Sequence, residues 1–205
     1  NPVLPGFYPD PSITKKGDDY YLTTSSFSYT PGLPILRSKN LTDWELVGYA
    51  LDREEQMEFS GARISRGIFA PTIRYHDGLF YIITTSVDNG GNFIITASDP
   101  AGPWSEPIWL PEVGGIDPDI FFDDDGRVYI THNEAPPGEP LYNGHRAIWM
   151  WEYDPAAQKV LPDSRKLLVN GGVDISQEPI WIEAPHIYKV NDWYYLSCAE
   201  GGTGP

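Results

Sequence analysis

The sequence predicts an all-β fold built from repeated antiparallel sheets, and three observations support this prediction. A proline that stands two residues before an isoleucine recurs at positions 11, 71, 118 and 185. Ten or eleven residues after each proline comes a tyrosine, within a run of aromatic and β-branched residues that is typical of strands. Helical periodicity is almost absent. Self-similarity at a constant register indicates a repeat architecture.

Each repeat begins with a predicted hairpin. The proline motif opens the first strand, an acidic or glycine-containing turn such as Asp77-Gly78 follows, and the second strand is rich in Tyr, Ile and Thr. Each of the first three hairpins is followed by two further predicted strands. These lie at residues 35–38 and 44–51, 93–98 and 104–110, and 148–153 and 166–169. Every complete repeat is therefore predicted to be a four-stranded antiparallel sheet.

Four-stranded sheets that repeat at this spacing predict a β-propeller, in which blades pack face to face around an axis. A β-sandwich is the alternative, although its strands need not share a starting motif. The fourth repeat contains only its first hairpin before the sequence reaches residue 205. Because three and a half blades cannot close a ring, we expect residues 1–205 to be one propeller domain that is incomplete at its C-terminus.

The composition argues against several classes of protein. Asp and Glu number 29 against 14 Lys and Arg, which gives a net charge of −15 and excludes binding to a nucleic-acid phosphate backbone. No run of 18 apolar residues is present, so we predict no membrane-spanning helix. The 7 Trp, 13 Tyr and 8 Phe make a disordered chain implausible, because disordered chains are poor in aromatic residues.

The residue before each repeated proline is the first candidate for chemistry. In a propeller the first strand of every blade lines the central channel, so equivalent positions converge. These positions hold Asp10, Ala70, Asp117 and Ala184, and Glu183 precedes the last of them. Because proline disfavours the α region for the residue before it, we expect extended geometry at all four. Three of the four blades are predicted to bring a carboxylate to one end of the channel.

Two chemistries fit converging carboxylates, which repel one another unless some are protonated or a cation neutralises them. One is glycoside hydrolysis by a carboxylic acid and a carboxylate on opposite faces of a sugar. The other is a bound divalent cation with oxygen ligands. Phe27 and Phe69 favour the sugar, because aromatic rings form apolar platforms for pyranose faces. The acidic run at 123–126 lacks the spaced ligands of a calcium loop and is interpreted as a solvated turn, so no metal site is predicted.

The opening residues 1–13, NPVLPGFYPDPSI, resemble the N-terminus of glycoside hydrolase family 43, the β-xylosidases and α-L-arabinofuranosidases built on a five-bladed β-propeller. Further matching segments follow in the family's order, at residues 67–71, 115–118, 122–126, 183–188 and 199–204. The resemblance covers the whole chain. It implies that residues 1–205 are the N-terminal part of a catalytic propeller and span about three and a half of its blades.

The resemblance also implies a role for each candidate carboxylate. Asp10 matches the family's general base and Glu183 its general acid. Asp117 matches the carboxylate that tunes the pKa of the acid and holds it in place. An inverting mechanism with these roles places base and acid roughly 6.5–9.5 Å apart, which leaves room for a water molecule.

Four further residues are predicted to bind substrate. Phe27 matches an aromatic side chain that borders the sugar subsite, and Phe69 stands where the family usually has tryptophan. Ala70 adjoins Phe69, and Thr203 falls in a segment near the same subsite.

The implied activity is that of an inverting exo-glycosidase, a β-xylosidase that releases xylose from the non-reducing end of xylo-oligosaccharides. Xylo-oligosaccharide or arabinoxylan is the expected partner, and no cofactor is expected. One alternative is an α-L-arabinofuranosidase that removes arabinose from arabinoxylan or arabinan. A second is a non-catalytic carbohydrate-binding propeller, with a structural Ca²⁺ on its axis.

Overall fold

The computed structural model describes residues 2–57 and 59–202 of the chain. Apart from two short 3-10 turns, Glu54–Gln56 and Ile175–Gln177, its regular structure consists of β-strands, which confirms the predicted all-β fold. The contacts divide the chain into two compact units, Asn1–Trp109 and Leu110–Pro205. Within the described ranges no helix has the length and apolar character needed to cross a membrane.

The first unit contains two four-stranded antiparallel sheets, and in each the strands are ordered as they are in the sequence. The first sheet comprises β1 Ser12–Lys16, β2 Asp19–Thr23, β3 Gly32–Ser38 and β4 Glu45–Leu51. The second comprises β5 Ile68–His76, β6 Leu79–Ser86, β7 Gly91–Ala97 and β8 Ile108–Trp109. Both sheets therefore have the strand number and order that the repeat predicts.

The core of the first unit is formed by the inward side chains of both sheets. Ile35, Ile73 and Ile82 are completely buried. The buried ring of Phe80 lies 5.0 Å from the Tyr21 ring and 4.8 Å from the Tyr75 ring, centroid to centroid. Burial of each such side chain stabilises the fold by about 1.5–3 kcal/mol, so these residues hold the two sheets together.

The second unit contains a five-stranded sheet and a hairpin. The sheet comprises β9 Ile116–Phe122, β10 Val128–Glu134, β11 Ala147–Asp154, β12 Lys159–Val160 and β13 Lys166–Asn170. Strands β9, β10 and β11 follow one another, and both β12 and β13 pair with β11. The hairpin pairs β14 Glu183–Val190 with β15 Trp193–Ala199. The third repeat thus has one strand more than predicted, and the fourth consists of the predicted hairpin.

Two predictions about strands were wrong. The predicted strand 104–110 is reduced to the two residues of β8, because the Trp104 side chain turns into the core with 2% exposure and donates its Nε1–H to the Pro100 carbonyl at 3.3 Å. Pro107 also lacks the N–H that a longer ladder would need. The unpredicted β12 forms because Asp154 Oδ1 accepts hydrogen bonds from two following amides and folds the chain back onto β11.

The acidic run at 123–126 forms the predicted hairpin turn, in which the Gly126 amide donates to the Asp123 carbonyl at 3.0 Å. The prediction of a solvated turn is wrong for Asp123, whose side chain is buried. Tyr194 Oη donates to its carboxylate at 2.6 Å and Lys189 Nζ at 2.9 Å. Because these bonds favour the ionised form, they lower the pKa of Asp123. Asp123 therefore joins the β9–β10 turn to the β14–β15 hairpin.

Candidate active site

A β-bulge lies at the repeated proline in three of the first strands. In β5, β9 and β14 the antiparallel register shifts by one residue at Ala70-Pro71, Asp117-Pro118 and Ala184-Pro185. The extra residue of a bulge is left out of the ladder. Proline has no N–H to give to a ladder, so it is tolerated at this point of a strand. The proline motif therefore marks the bulge.

The residues before the repeated prolines have left-handed backbone conformations. Their φ angles are 51° at Asp10, 23° at Ala70, 54° at Asp117 and 48° at Ala184. The prediction of extended geometry at these four positions was wrong. In β5, β9 and β14 the bulge overrides the local preference imposed by proline, and Asp10 has the same conformation just before β1. A side chain in such a conformation costs of order 1–3 kcal/mol and is typical of functional sites. A bulge also re-aims the side chain that it carries.

In the first unit, the side chain of Ser25 connects Asp10 to the bulge of the second sheet. Ser25 Oγ donates a short hydrogen bond to Asp10 Oδ2 and accepts one from the Ala70 amide at 2.6 Å. The Ser25 amide in turn donates to the Pro9 carbonyl at 3.0 Å. The exposed Asp10 carboxylate is therefore held by a buried serine.

In the second unit, the equivalent contact is direct. The Ala184 amide donates to Asp117 Oδ2 at 3.2 Å. On the other side of Glu183, the buried side chain of Asn133 donates its Nδ2–H to the Ile182 carbonyl at 2.6 Å. The backbone is thus fixed immediately before and immediately after Glu183. The first contact places the partly buried Glu183 next to β9, which carries Asp117, and the second binds the preceding residue to β10.

The two units also share an equivalent hydrogen bond at the residues just after the repeated prolines. The Ile73 amide donates to Ser12 Oγ at 3.0 Å, and the Ile187 amide donates to Asp119 Oδ2 at 2.9 Å. His186 Nδ1 lies 3.6 Å from the other oxygen of the buried Asp119. His186, for which the sequence left open a core position or a contact with an acid, therefore lies beside a carboxylate. Adjacent first strands are bound through the side chain after the proline in both units.

Three phenylalanine rings of the first unit form a cluster. The Phe27 and Phe69 rings meet edge to face with centroids 5.2 Å apart, and Phe7 lies 6.0 Å from Phe27. Phe27 is fixed by exchanging two backbone hydrogen bonds with Ile68, at 2.9 and 3.0 Å. This close approach requires Gly67, because a Cβ at that position would lie 2.2 Å from the Phe27 carbonyl oxygen. The result is an apolar wall whose outer member, Phe7, is 68% exposed.

The predicted site residues fall into both units. The first unit brings together Asp10, Phe27, Phe69 and Ala70, and the second holds Asp117 and Glu183 on neighbouring strands. The approach of Asp10 to the other two carboxylates remains a prediction. Thr203 lies outside the described residues.

The sequence reasoning missed three residues of this region: Phe7, Ser25 and Asn133. Phe7 had a usable signal, since it lies three positions before Asp10 in the motif that carries the resemblance. Ser25 and Asn133 had none, because a single serine or asparagine in a strand region has no periodic signature.

Comparison with known proteins places the chain in a family. The model for glycosyl hydrolases family 43 matches residues 1–205. The chain belongs to glycoside hydrolase family 43. It is 53% identical to a xylosidase/arabinosidase of Butyrivibrio fibrisolvens over 99% of its own length and 39% of that protein.

Two solved structures extend the comparison. A GH43_12 protein retrieved from the capybara gut metagenome has a TM-score of 0.95 at 51% identity, over 99% of this chain and 38% of that one. The xylan beta-1,4-xylosidase of Bacillus halodurans C-125 has a TM-score of 0.87 at 42% identity, over 99% of this chain and 39% of that one. Family 43 enzymes of this kind are β-propellers, which confirms the predicted fold class. The chain spans about two fifths of the length of these relatives.

Proposed function

We propose that the protein containing this chain is an inverting exo-β-xylosidase that releases xylose from the non-reducing end of xylo-oligosaccharides. The observation that carries the proposal is the repeated anchoring of a carboxylate at the proline bulge. Asp10 is held through Ser25 by the Ala70 amide, and Asp117 is held directly by the Ala184 amide. The names of the relatives, xylosidase/arabinosidase and xylan beta-1,4-xylosidase, support the choice of substrate.

The proposed reaction is a single displacement at the anomeric carbon. Asp10, ionised, removes a proton from a water molecule whose oxygen attacks that carbon. The glycosidic carbon–oxygen bond breaks on the opposite face, and Glu183 donates its proton to the departing oxygen. The products are xylose and a chain shortened by one sugar, while the enzyme is left with a protonated Asp10 and an ionised Glu183.

Asp117 assists the acid in this scheme. A negative charge close to a second carboxyl group favours the protonated form of that group. Asp117 is bound to the amide of Ala184, the residue that follows Glu183, so its charge is fixed beside the acid. We assign it the role of keeping Glu183 protonated until the leaving oxygen accepts the proton.

The aromatic wall supports a sugar substrate. Phe7, Phe27 and Phe69 form a cluster of apolar rings, and Phe69 precedes Ala70, whose amide holds Asp10 through Ser25. Sugar-binding sites combine such surfaces with a few polar groups that fix orientation. We assign Phe27, Phe69 and Ala70 to the subsite that receives the non-reducing terminal xylose.

A leaving-group comparison tests the proposal. Glu183→Gln should retain much of its activity on an aryl xyloside with an acidic phenol, because that leaving group departs without a proton, but should lose about 10²–10⁴-fold in kcat on xylobiose. Asp10→Asn should lose both activities, because both need the activated water. A Glu183→Gln enzyme that is equally impaired on the two substrates would contradict the assignment of the acid.

The same assays separate the competing functions. An α-L-arabinofuranosidase would hydrolyse an aryl arabinofuranoside faster than the aryl xylopyranoside. A non-catalytic carbohydrate-binding protein would bind xylo-oligosaccharide without hydrolysis at any pH, and this binding would survive Asp10→Asn.

A further inference from the structure

We propose that Ser25 is a positioning residue that sets the orientation of the Asp10 carboxylate. The inference rests on the proposed role of Asp10 as the general base. It concerns a side chain that is buried in the first unit and that carries no charge of its own.

The hydrogen bonds of Ser25 form a chain that runs from the Ala70 backbone amide to the Asp10 carboxylate. A serine hydroxyl has one hydrogen to donate, and Ser25 Oγ donates it to Asp10 Oδ2. The same oxygen accepts the Ala70 amide hydrogen at 2.6 Å. A hydroxyl group that accepts a hydrogen bond becomes a stronger donor in the bond that it gives, because consecutive hydrogen bonds polarise one another. The hydrogen bond from the Ala70 amide therefore strengthens the one that Ser25 Oγ donates to Asp10 Oδ2.

The second unit shows what the serine adds. There the Ala184 amide binds Asp117 Oδ2 without an intermediary, at 3.2 Å. In the first unit the equivalent amide, that of Ala70, binds the inserted hydroxyl instead. Because the Ser25 hydroxyl lies between the two groups, the Asp10 carboxylate is held farther from the Ala70 amide, and it is exposed. The two carboxylates, which share a position in the repeat, are thus held at different distances from the neighbouring strand.

This difference suits a general base. The base must keep one oxygen directed at a water molecule, and misplacement by about 1 Å costs up to 10²-fold in rate. Binding of Oδ2 by Ser25 fixes the rotation of the Asp10 carboxylate and leaves Oδ1 as the oxygen that accepts the proton. Ser25 does not itself touch the substrate in this scheme.

The test is a kinetic comparison of Ser25→Ala with Ser26→Ala in the intact protein that contains this chain. Ser26 is the matched control, because it is the adjacent serine, is equally buried, and has a hydroxyl with no hydrogen-bond partner among the described residues. Ser25→Ala should lower kcat by about 10- to 100-fold on both xylobiose and an aryl xyloside. Its KM should remain that of the wild type, while its melting temperature should fall modestly, because the part-buried Ala70 amide loses its acceptor. Ser26→Ala should match the wild type in kcat and KM.

Two results would overturn the inference. One is an unchanged kcat in Ser25→Ala. The other is a loss of activity accompanied by a higher KM, which indicates a structural role. If Ser25→Ala does not fold, Ser25→Cys, which has a slightly larger side chain and is a weak donor, is judged by the same two criteria.

Asp10→Asn is measured in the same series to separate this inference from the proposed function. Normal activity of Asp10→Asn would refute the base itself. An inactive Asp10→Asn with a fully active Ser25→Ala would refute only the role of Ser25.

Discussion

The amide of Ala184 donates a hydrogen bond to Asp117 Oδ2 at 3.2 Å, and it does so from a left-handed backbone conformation with φ of 48°. The strain at Ala184 and the anchoring of Asp117 are therefore two aspects of one bulge. Ala184, the strained residue, directly follows Glu183, the proposed acid. This link between backbone strain and carboxylate placement leads to the first prediction.

Ala184→Val should lower the free energy of unfolding by about 1–2 kcal/mol, because a β-branched residue is poorly tolerated at positive φ. Ala184→Gly should be nearly neutral, since the relief of strain is offset by the greater freedom of glycine in the unfolded chain. Denaturant unfolding measures both. Ala156→Val, at an exposed turn residue, is the control and should change stability by less than about 0.5 kcal/mol. Equal effects of valine at the two sites would contradict the strain at Ala184.

Phe80→Ala should destabilise the protein by about 3–5 kcal/mol, because it removes a completely buried ring from between Tyr21 and Tyr75. Leu79→Ala, at the neighbouring residue with 36% exposure, should cost far less. Thermal unfolding monitored by circular dichroism compares the two. A similar loss in both variants would show that Phe80 is not a centre of the core.

His132 should make the protein less stable in acid. Its side chain is completely buried, and burial, assisted by the Arg165 guanidinium, lowers its pKa to about 4 from the usual 6.5. Between these values the unfolded chain binds the proton and the folded chain does not, so stability falls as the pH decreases from about 6.5 to about 4. The loss amounts to about 3 kcal/mol.

Unfolding free energies measured across this pH range in His132→Leu and wild type test the prediction. The variant should lack this part of the pH dependence, and His76→Leu, at a half-exposed histidine, should retain it. A His132→Leu curve parallel to that of the wild type would contradict a neutral buried imidazole.

Asp88→Asn should expose the segment before β5 to trypsin. Asp88 binds the Arg63 and Arg66 side chains at 2.8 and 2.9 Å, and these pairs hold the pKa of its carboxyl well below the usual range. Without the charge the segment opens more often, so cleavage after Arg63 or Arg66 should become faster. Limited proteolysis followed by mass spectrometry measures the rate, with Asp77→Asn in the exposed β5–β6 turn as control. An unchanged rate in Asp88→Asn would refute the anchoring role.

The repeated proline motif was enough to predict the first three sheets, the strand order of the first two and the hairpin of the fourth repeat, but it did not predict β12 or the shortness of β8. It did not predict the bulges, because the preference of a residue before proline is extended, and only pairing with the adjacent strand imposes the left-handed conformation seen at Asp117 and Ala184. A bulge is defined by the register between two paired strands, so the sequence of one strand alone does not predict it.

Candidate site residues could be selected from the sequence where they belong to the motif itself. Asp10 and Glu183 stand at the repeated position or beside it, so the repeat identified them. Ser25 acts through an amide 45 residues away in sequence, and that contact exists only after the two sheets pack. Trp104 misled the prediction for a similar reason. Its aromatic character favours a strand, whereas its indole N–H is bonded to the Pro100 carbonyl within the loop that precedes β8.

The stereochemistry of the first product tests the central claim, that Asp10 and Glu183 perform a single displacement. Proton NMR of a β-xyloside during the first minutes of hydrolysis by the intact protein resolves the anomeric signals before mutarotation mixes them. A single displacement predicts that α-xylose appears first and that the β-anomer grows in later. Initial appearance of β-xylose would reveal a covalent glycosyl-enzyme intermediate and would contradict the roles assigned to both carboxylates.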